Sequence, residues 1–235
     1  MRTVVTEIFG QTIQPVLINC ARIAVVGGGK DEPELHFFKR SEHKITFLGV
    51  EKPLNTSDEE WSYLDLNSST ISLVDRFDLI ICNQVLEHIW DIKNAVHVLC
   101  SLVDDGGFLW LNFPTSNFAH GSPEYFSAGY HPEIVVKLLP DSMRIIRIGF
   151  LGSKRYYRWI HSRFEWPEPD QLAHPVRFLL AQDTSVLRRL WRIIRFIPSL
   201  NLALISNRIS HTDMMIATES YVFSQKHGAQ TEPFR

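Results

Sequence analysis

The sequence predicts a doubly wound α/β fold: a mostly parallel seven-stranded sheet with helices on both faces, an antiparallel last strand and a helical insertion before it. Three observations predict it. Short apolar runs of strand length alternate with segments of helical spacing. The run Phe77-Asp-Leu-Ile-Ile-Cys82 is apolar except at Asp78, the pattern of a parallel strand covered on both sides. The first such run, Ile23-Ala-Val-Val26, stops abruptly at Gly27-Gly28-Gly29.

Taken in order, the glycines are followed by Asp31 and Pro33, which suit the cap and first turn of a helix. Ile45 to Val50 is the second strand, ending at Glu51. Trp61 to Leu66 is the third, Phe77 to Cys82 the fourth. Ile92, Ala95, Val96, Leu99 and Val103 recur at helical spacing, and Asp104-Asp105-Gly106-Gly107 ends that helix. Phe108 to Phe113 is the fifth strand, stopped by Pro114. Pro132 opens a helix to Leu139, and Met143–Phe150 and Glu219–Gln225 are the last two strands.

The 235 residues, 45% of them hydrophobic, suit one domain over 1–235. Residues 154–213 form a helical insertion or lid within it. Its best-defined part is a basic amphipathic helix over 186–197, with Leu187, Leu190, Trp191, Ile194 and Ile197 on one face and Arg188, Arg192 and Arg195 on another. That helix packs on the domain or a second subunit as a homodimer, or meets an anionic substrate or a membrane surface.

A net charge of −2 spread over both signs gives no case for wrapping nucleic acid. Cys20, Cys82 and Cys100 are odd in number, far apart and set among apolar residues. They read as buried reduced thiols, which suits a cytoplasmic protein rather than a disulfide frame or zinc site. The opening segment lacks a leader's unbroken apolar run, and no stretch reaches the roughly 18 apolar residues of a membrane span. Gly-x-Ser-x-Gly, a Walker lysine after the glycines and a metal-ligand cluster are all missing, so hydrolase, ATPase and metal readings are set aside.

A nucleotide on such a sheet needs glycine where the backbone approaches it, a carboxylate for its ribose and a crevice at the strand ends. Gly27, Gly28 and Gly29 meet the first need. Glu51, 22 residues past Gly29 at the end of the second strand, meets the next. A dinucleotide enzyme, the NAD-dependent dehydrogenase alternative, wants a third glycine where this chain has Glu32.

Here the sequence resembles the class I S-adenosylmethionine-dependent methyltransferases, whose fold is Rossmann-like, and especially their small-molecule branch. The resemblance covers roughly Ala21 to Leu151. It is carried by Val25-Val26-Gly27-Gly28-Gly29, by Phe77-Asp-Leu-Ile-Ile-Cys-Asn-Gln-Val-Leu-Glu-His88, which looks like the fourth strand and its Leu-Glu-His turn, and by Asp104-Asp-Gly-Gly-Phe-Leu-Trp-Leu111. It implies S-adenosylmethionine as cofactor: Gly27 to Gly29 facing the methionine part, Glu51 on the ribose hydroxyls, Asp65 with Leu66 at the adenine edge, and Asn83 and Gln84 beside the sulfonium. The acid the family usually carries two positions before its first glycine is Val25 here, which keeps a catalytically silent nucleoside-binding relative as a further alternative.

Methyl transfer from a sulfonium mainly needs the acceptor aligned about 3–3.5 Å from the methyl carbon. A hydroxyl acceptor such as a sugar or lipid-linked compound gains from a base, and histidine titrates nearest to working pH. His88, after the fourth strand, and His120 and Tyr130, in the loop after the fifth, are therefore the catalytic candidates; Tyr125 and His131 share that loop.

Overall fold

The computed structural model describes residues 2–68, 75–115, 126–151 and 219–227. Within them a seven-stranded sheet runs in the order β3-β2-β1-β4-β5-β7-β6. The strands are β1 (Arg22–Val26), β2 (Lys44–Gly49), β3 (Trp61–Tyr63), β4 (Phe77–Asn83), β5 (Val103–Pro114), β6 (Met143–Leu151) and β7 (Glu219–Lys226). Strands β1 to β5 pair in parallel, and β7 enters antiparallel between β5 and β6. The predicted fold class and its antiparallel last strand are both present. The insertion over 154–213, with the basic helix over 186–197 and any membrane or subunit contact it makes, lies outside the described residues.

Alternation along the strands divides the core. Ala24, Val26, Ile80, Cys82, Leu109, Leu111 and Val222 face α2 (Ile92–Leu102) and α3 (Pro132–Leu138). Ile23, Val25, Leu79, Ile81, Trp110, Tyr221 and Phe223 face the other way, towards α1 (Arg2–Ile13). Helix α1 docks through Val5, Phe9 and Ile13, one turn apart and all buried, with the Phe9 ring edge-on to Trp110 at 5.1 Å. Asp91 caps α2 by accepting from the Asn94 amide.

Asp78, the polar residue in an otherwise apolar strand, is explained by its partners. Its carboxylate accepts from the amides of Ala21 and Arg22 at 2.9 and 2.7 Å and from the Arg22 guanidinium, so it fixes where β1 begins.

Three local expectations are corrected. The segment after the glycines makes only one 3-10 turn, Pro33–Phe37, because Lys39-Arg-Ser-Glu-His-Lys44 supplies no apolar face to carry a helix further. Beside that turn lies a pocket of about 410 Å³ lined by Lys30, Leu35, His36, Phe38, Arg40 and Ile45 among others. The third strand stops at Tyr63 rather than Leu66, because the Asp65 carboxylate takes the Asn67 amide and turns the chain. Helix α2 ends at Leu102 and the chain enters β5 directly at Val103, so Gly106, at φ +80°, serves an irregularity where β5 pairs with β4 rather than a helix cap. Among the described residues no helix is long and apolar enough to cross a membrane.

Candidate functional site

The chain leaves β1 towards β2 and β3, then returns to the other flank of β1 as β4. The order therefore reverses between β1 and β4, and the carboxyl ends of these two strands bound the crevice where open α/β sheets take ligands. In-register pairing aligns Val26 with Leu48 and Cys82, and Asn83 with Asn112. The tips carrying Gly27, Glu51 and Gln84 thus gather along one edge.

Both flanks of the crevice turn through left-handed backbone. Gly27 has φ +70° and donates its amide to the Leu48 carbonyl at 2.8 Å. Gln84 has φ +53°, an unusual conformation for a side chain of this kind and one that persists only where surroundings enforce it. Its amide donates to the Asn112 carbonyl and its Nε2 to Asn112 Oδ1, both at 2.8 Å.

Side chains of the protein itself lie close to all three glycines. A Cβ on Gly27 would lie 2.6 Å from Val85 Cγ2, and one on Gly28 would lie 2.8 Å from Glu32 Cγ and 3.0 Å from Val25 Cγ1. At Gly29 the neighbours are Asp31 Oδ1 at 3.1 Å and Pro53 Cβ at 3.3 Å. At Gly27 the positive φ and the Val85 side chain across the crevice both demand glycine, while Gly28 and Gly29 have only tight contacts with neighbouring side chains.

Glu51 is exposed just past the end of β2 and makes no ion pair or side-chain hydrogen bond with any described residue. Glu60, nearby in sequence, is by contrast engaged by Lys30 at 2.7 Å and Arg40 at 3.0 Å. The Lys30 hydrogen bond, then that of the Ser57 amide, hold its carboxyl down to about 2. Lys30 is therefore spoken for.

Past β3, Asp65 is bound up in its own turn. Leu66 is a core residue, its side chain packed among those facing α2 and its carbonyl accepting from Asn94 Nδ2. The Leu66 side chain therefore faces the core, and Asp65 engages one of its two carboxylate oxygens in the turn.

Asn83 Oδ1 accepts from the Trp110 indole at 3.0 Å. His88 sits in a single 3-10 turn, Leu86–His88, with its amide donating to the Val85 carbonyl. Tyr130 donates its hydroxyl to the Ile89 carbonyl at 3.4 Å and its amide to the Pro114 carbonyl, so it ties the loop after β5 to the turn after β4. His131 caps α3 by accepting from the Glu133 amide. His120 and Tyr125 lie outside the described residues. Of the proposed catalytic groups, His88 and Tyr130 are thus brought to the same edge, with the Tyr130 hydroxyl already used structurally.

Gly129 sets the path of that loop. At φ +147° it lies where a Cβ would press on the Thr115 carbonyl group and come 2.7 Å from the Pro114 carbonyl oxygen, all unyielding backbone. Gly129→Ala is expected to cost at least about 1–3 kcal/mol from backbone strain alone. Thermal denaturation and proteolysis of the loop will read it; an unchanged melting temperature with an unchanged digestion pattern refutes the account.

Sequence reasoning did not find Asn112 and Glu219. Asn112, 2% exposed, donates from Nδ2 to the Ser220 carbonyl at 3.2 Å and to Glu219 Oε2 at 3.4 Å, while Glu219 itself is 9% exposed. Their partners are 28 to 108 residues away along the chain, so no local pattern points to them.

No protein-family model matches the chain, and no curated protein does. Solved structures do. A putative sarcosine dimethylglycine methyltransferase from Galdieria sulphuraria superposes with a TM-score of 0.55 at 8% identity, over 95% of this chain and 85% of that one. The cyclase SpnF gives 0.54 at 14% identity, over 95% and 81%. A SAM-dependent methyltransferase from Archaeoglobus fulgidus gives 0.50 at 13% identity, over 96% and 95%. By its strand order and these likenesses the chain has the class I S-adenosylmethionine-dependent methyltransferase fold. That a cyclase shares it shows that the fold alone does not name the reaction.

Proposed function

We propose that this protein is an enzyme that binds S-adenosylmethionine along the carboxyl edge of β1, β2 and β4 and moves its methyl group to a small-molecule acceptor. The observation that carries this reading is Glu51: an exposed carboxylate past the tip of β2, beside the switch point and engaged by no described residue. On this reading its two oxygens accept from the ribose hydroxyls. Asn83 and Gln84 border the same crevice across from the glycine turn.

When bound, the cofactor supplies a methyl group on a sulfonium already activated for in-line displacement. The chain's part is to hold and align. Glu51 fixes the ribose, the turn at Gly27 to Gly29 receives the methionine part on its uncovered backbone, and the loop tethered by Tyr130 borders the acceptor's side. The finer reading is a hydroxyl acceptor, with His88 as the group that receives its proton. An imidazole nitrogen can accept a proton, and His88 closes the Leu86–His88 turn that follows β4.

Calorimetry with S-adenosylmethionine, S-adenosylhomocysteine and NAD tests the reading. The two adenosyl ligands are expected to bind and NAD to bind more weakly; NAD binding more tightly overturns it. Glu51→Ala is expected to weaken S-adenosylhomocysteine by about 1–3 kcal/mol, the usual cost of losing a charged hydrogen-bond acceptor. Unchanged affinity in that variant removes Glu51 from the site.

A further inference from the structure

Three separate stretches of chain meet at the carboxylate of Glu60. The Lys30 ammonium reaches Oε2 at 2.7 Å and the Arg40 guanidinium reaches Oε1 at 3.0 Å. The Ser57 hydroxyl and amide donate to Oε2 at 3.2 and 3.4 Å, which closes a capping box on the short turn Asp58–Glu60. Lys30 follows the glycine turn after β1, Arg40 lies in the connection that leads into β2, and Ser57 belongs to the connection that runs from Glu51 to β3. The same turn holds a second ion pair, Asp58 with Lys52 at 2.8 Å, one residue past Glu51. That outer pair is 41% and 91% exposed, against 29% for both Lys30 and Glu60, so solvent weakens it more than the inner one.

The sheet itself leaves work for such a tie. The last aligned pair of the ladder between β1 and β2 is Val26 with Leu48, and the Gly27 amide adds one bond to the Leu48 carbonyl. Beyond it Gly28 to Lys30 and Val50 to Lys52 run on as loops, so strand pairing does not set how far the glycine turn stands from Glu51. Glu60 spans that gap, joining the residue after the glycines to the connection that carries Glu51.

We infer that Glu60 is a positioning residue for the ligand: through Lys30 it holds the glycine turn at a set distance from Glu51, so that one adenosyl molecule meets both at once. The inference rests on the adenosyl-ligand reading above. Two contacts to one molecule reinforce each other only when their spacing matches the ligand. A ligand that reaches just one of them gains nothing from the tie.

The test compares two probes by calorimetry. S-adenosylhomocysteine has a ribose for Glu51 and a methionine-derived part for the glycine turn, whereas adenosine has the ribose and base alone. Glu60→Gln keeps an acceptor for the capping box and removes the charge that holds Lys30 and Arg40. It is expected to weaken S-adenosylhomocysteine about fivefold, the upper scale for a partly exposed ion pair, and adenosine less than about twofold. Lys30→Gln is expected to show the same selective loss, and the double variant to lose no more than either single one, because both remove one interaction.

Salt supplies a second measurement on the native protein, which stands even if the variants fail to fold. Raising it from about 0.1 to about 1 M cuts the screening length from about 10 to about 3 Å and is expected to weaken S-adenosylhomocysteine selectively over adenosine. Equal changes for both probes, unchanged affinities, or single losses that add in the double variant overturn the inference. So does a native protein that binds the two probes equally, an outcome that leaves the adenosyl-ligand reading standing. Binding of neither probe by the native protein overturns that reading and this one with it.

Discussion

Trp110→Ala is expected to cost about 3–5 kcal/mol of folding stability, the range for removing a large aromatic side chain from a packed core. Trp110 is fully buried at the centre of the α1-facing layer. It stacks on Tyr221 at 4.9 Å, meets the edge of Phe9 at 5.1 Å and lies 6.4 Å from Phe223. Truncation takes from α1 the ring on which it docks. It also leaves Asn83 Oδ1 without its donor, so the same change loosens the tip of β4.

A domain of this kind has about 5–15 kcal/mol in total, so the variant sits near the edge of folding. Urea denaturation followed by circular dichroism will measure it. Trp110→Phe separates the two effects: it keeps most of the packing, loses the N–H and is expected to cost about 1–2 kcal/mol. A loss under about 1 kcal/mol in the alanine variant would show that this layer does not hold the sheet together.

The central strands were legible in the sequence because parallel strands buried on both faces have to be apolar almost throughout, as β4 and the Phe108–Phe113 part of β5 are apart from Asp78 and Asn112. Asp78 is the exception that proves informative: its side chain answers to backbone amides of β1, not to solvent. Helix α1 was not legible. Its three docking residues, Val5, Phe9 and Ile13, occupy a narrow stripe that means nothing until Trp110 and Tyr221 are beside it.

The positions of Glu51 past β2 and of the glycine turn after β1 were readable from spacing, but what packs against the glycines was not. Val85, which fills the space over Gly27, arrives from across the switch point, 58 residues later in the chain. The burial of Leu66 was hidden for a related reason. A residue following a short strand looks available, and the Asx turn at Asp65 that sends it back into the core is a matter of one side-chain hydrogen bond. Asn112 and Glu219 were hidden altogether, since an amide in an apolar strand and an acid at a strand's start acquire their meaning only through each other.

The protein is expected to unfold in mild alkali. Burial pushes the Cys20 thiol up to about 12, with the charge of Asp78 adding to it. Burial likewise raises Cys100 to about 12, against a smaller opposing effect of Lys226, and raises Cys82 further still. The Tyr221 phenol is raised too, burial outweighing the nearby Arg147 guanidinium.

An ordinary thiol ionises at about 8.5, so between there and about 12 the unfolded chain sheds protons that the folded chain keeps. The unfolded state then binds fewer protons than the native one, and stability falls as pH rises. The contribution of each thiol is whole below its unfolded value and is lost as pH climbs through the folded one, at about 1.4 kcal/mol per pH unit. For Cys20 and Cys100 together the loss by pH 11 is on the order of 7 kcal/mol, comparable to the entire stability of a small domain.

Urea midpoints measured from pH 7.5 to 11 are expected to fall steadily above about pH 9. Cys100→Ala, which removes one titrating group, should shallow the slope even as it lowers the starting value. Below pH 8 all three thiols should resist a maleimide until urea unfolds the chain, since each is buried. A midpoint that stays level to pH 11, or thiols that label rapidly without urea, would mean that these side chains are not where the two layers of the core place them.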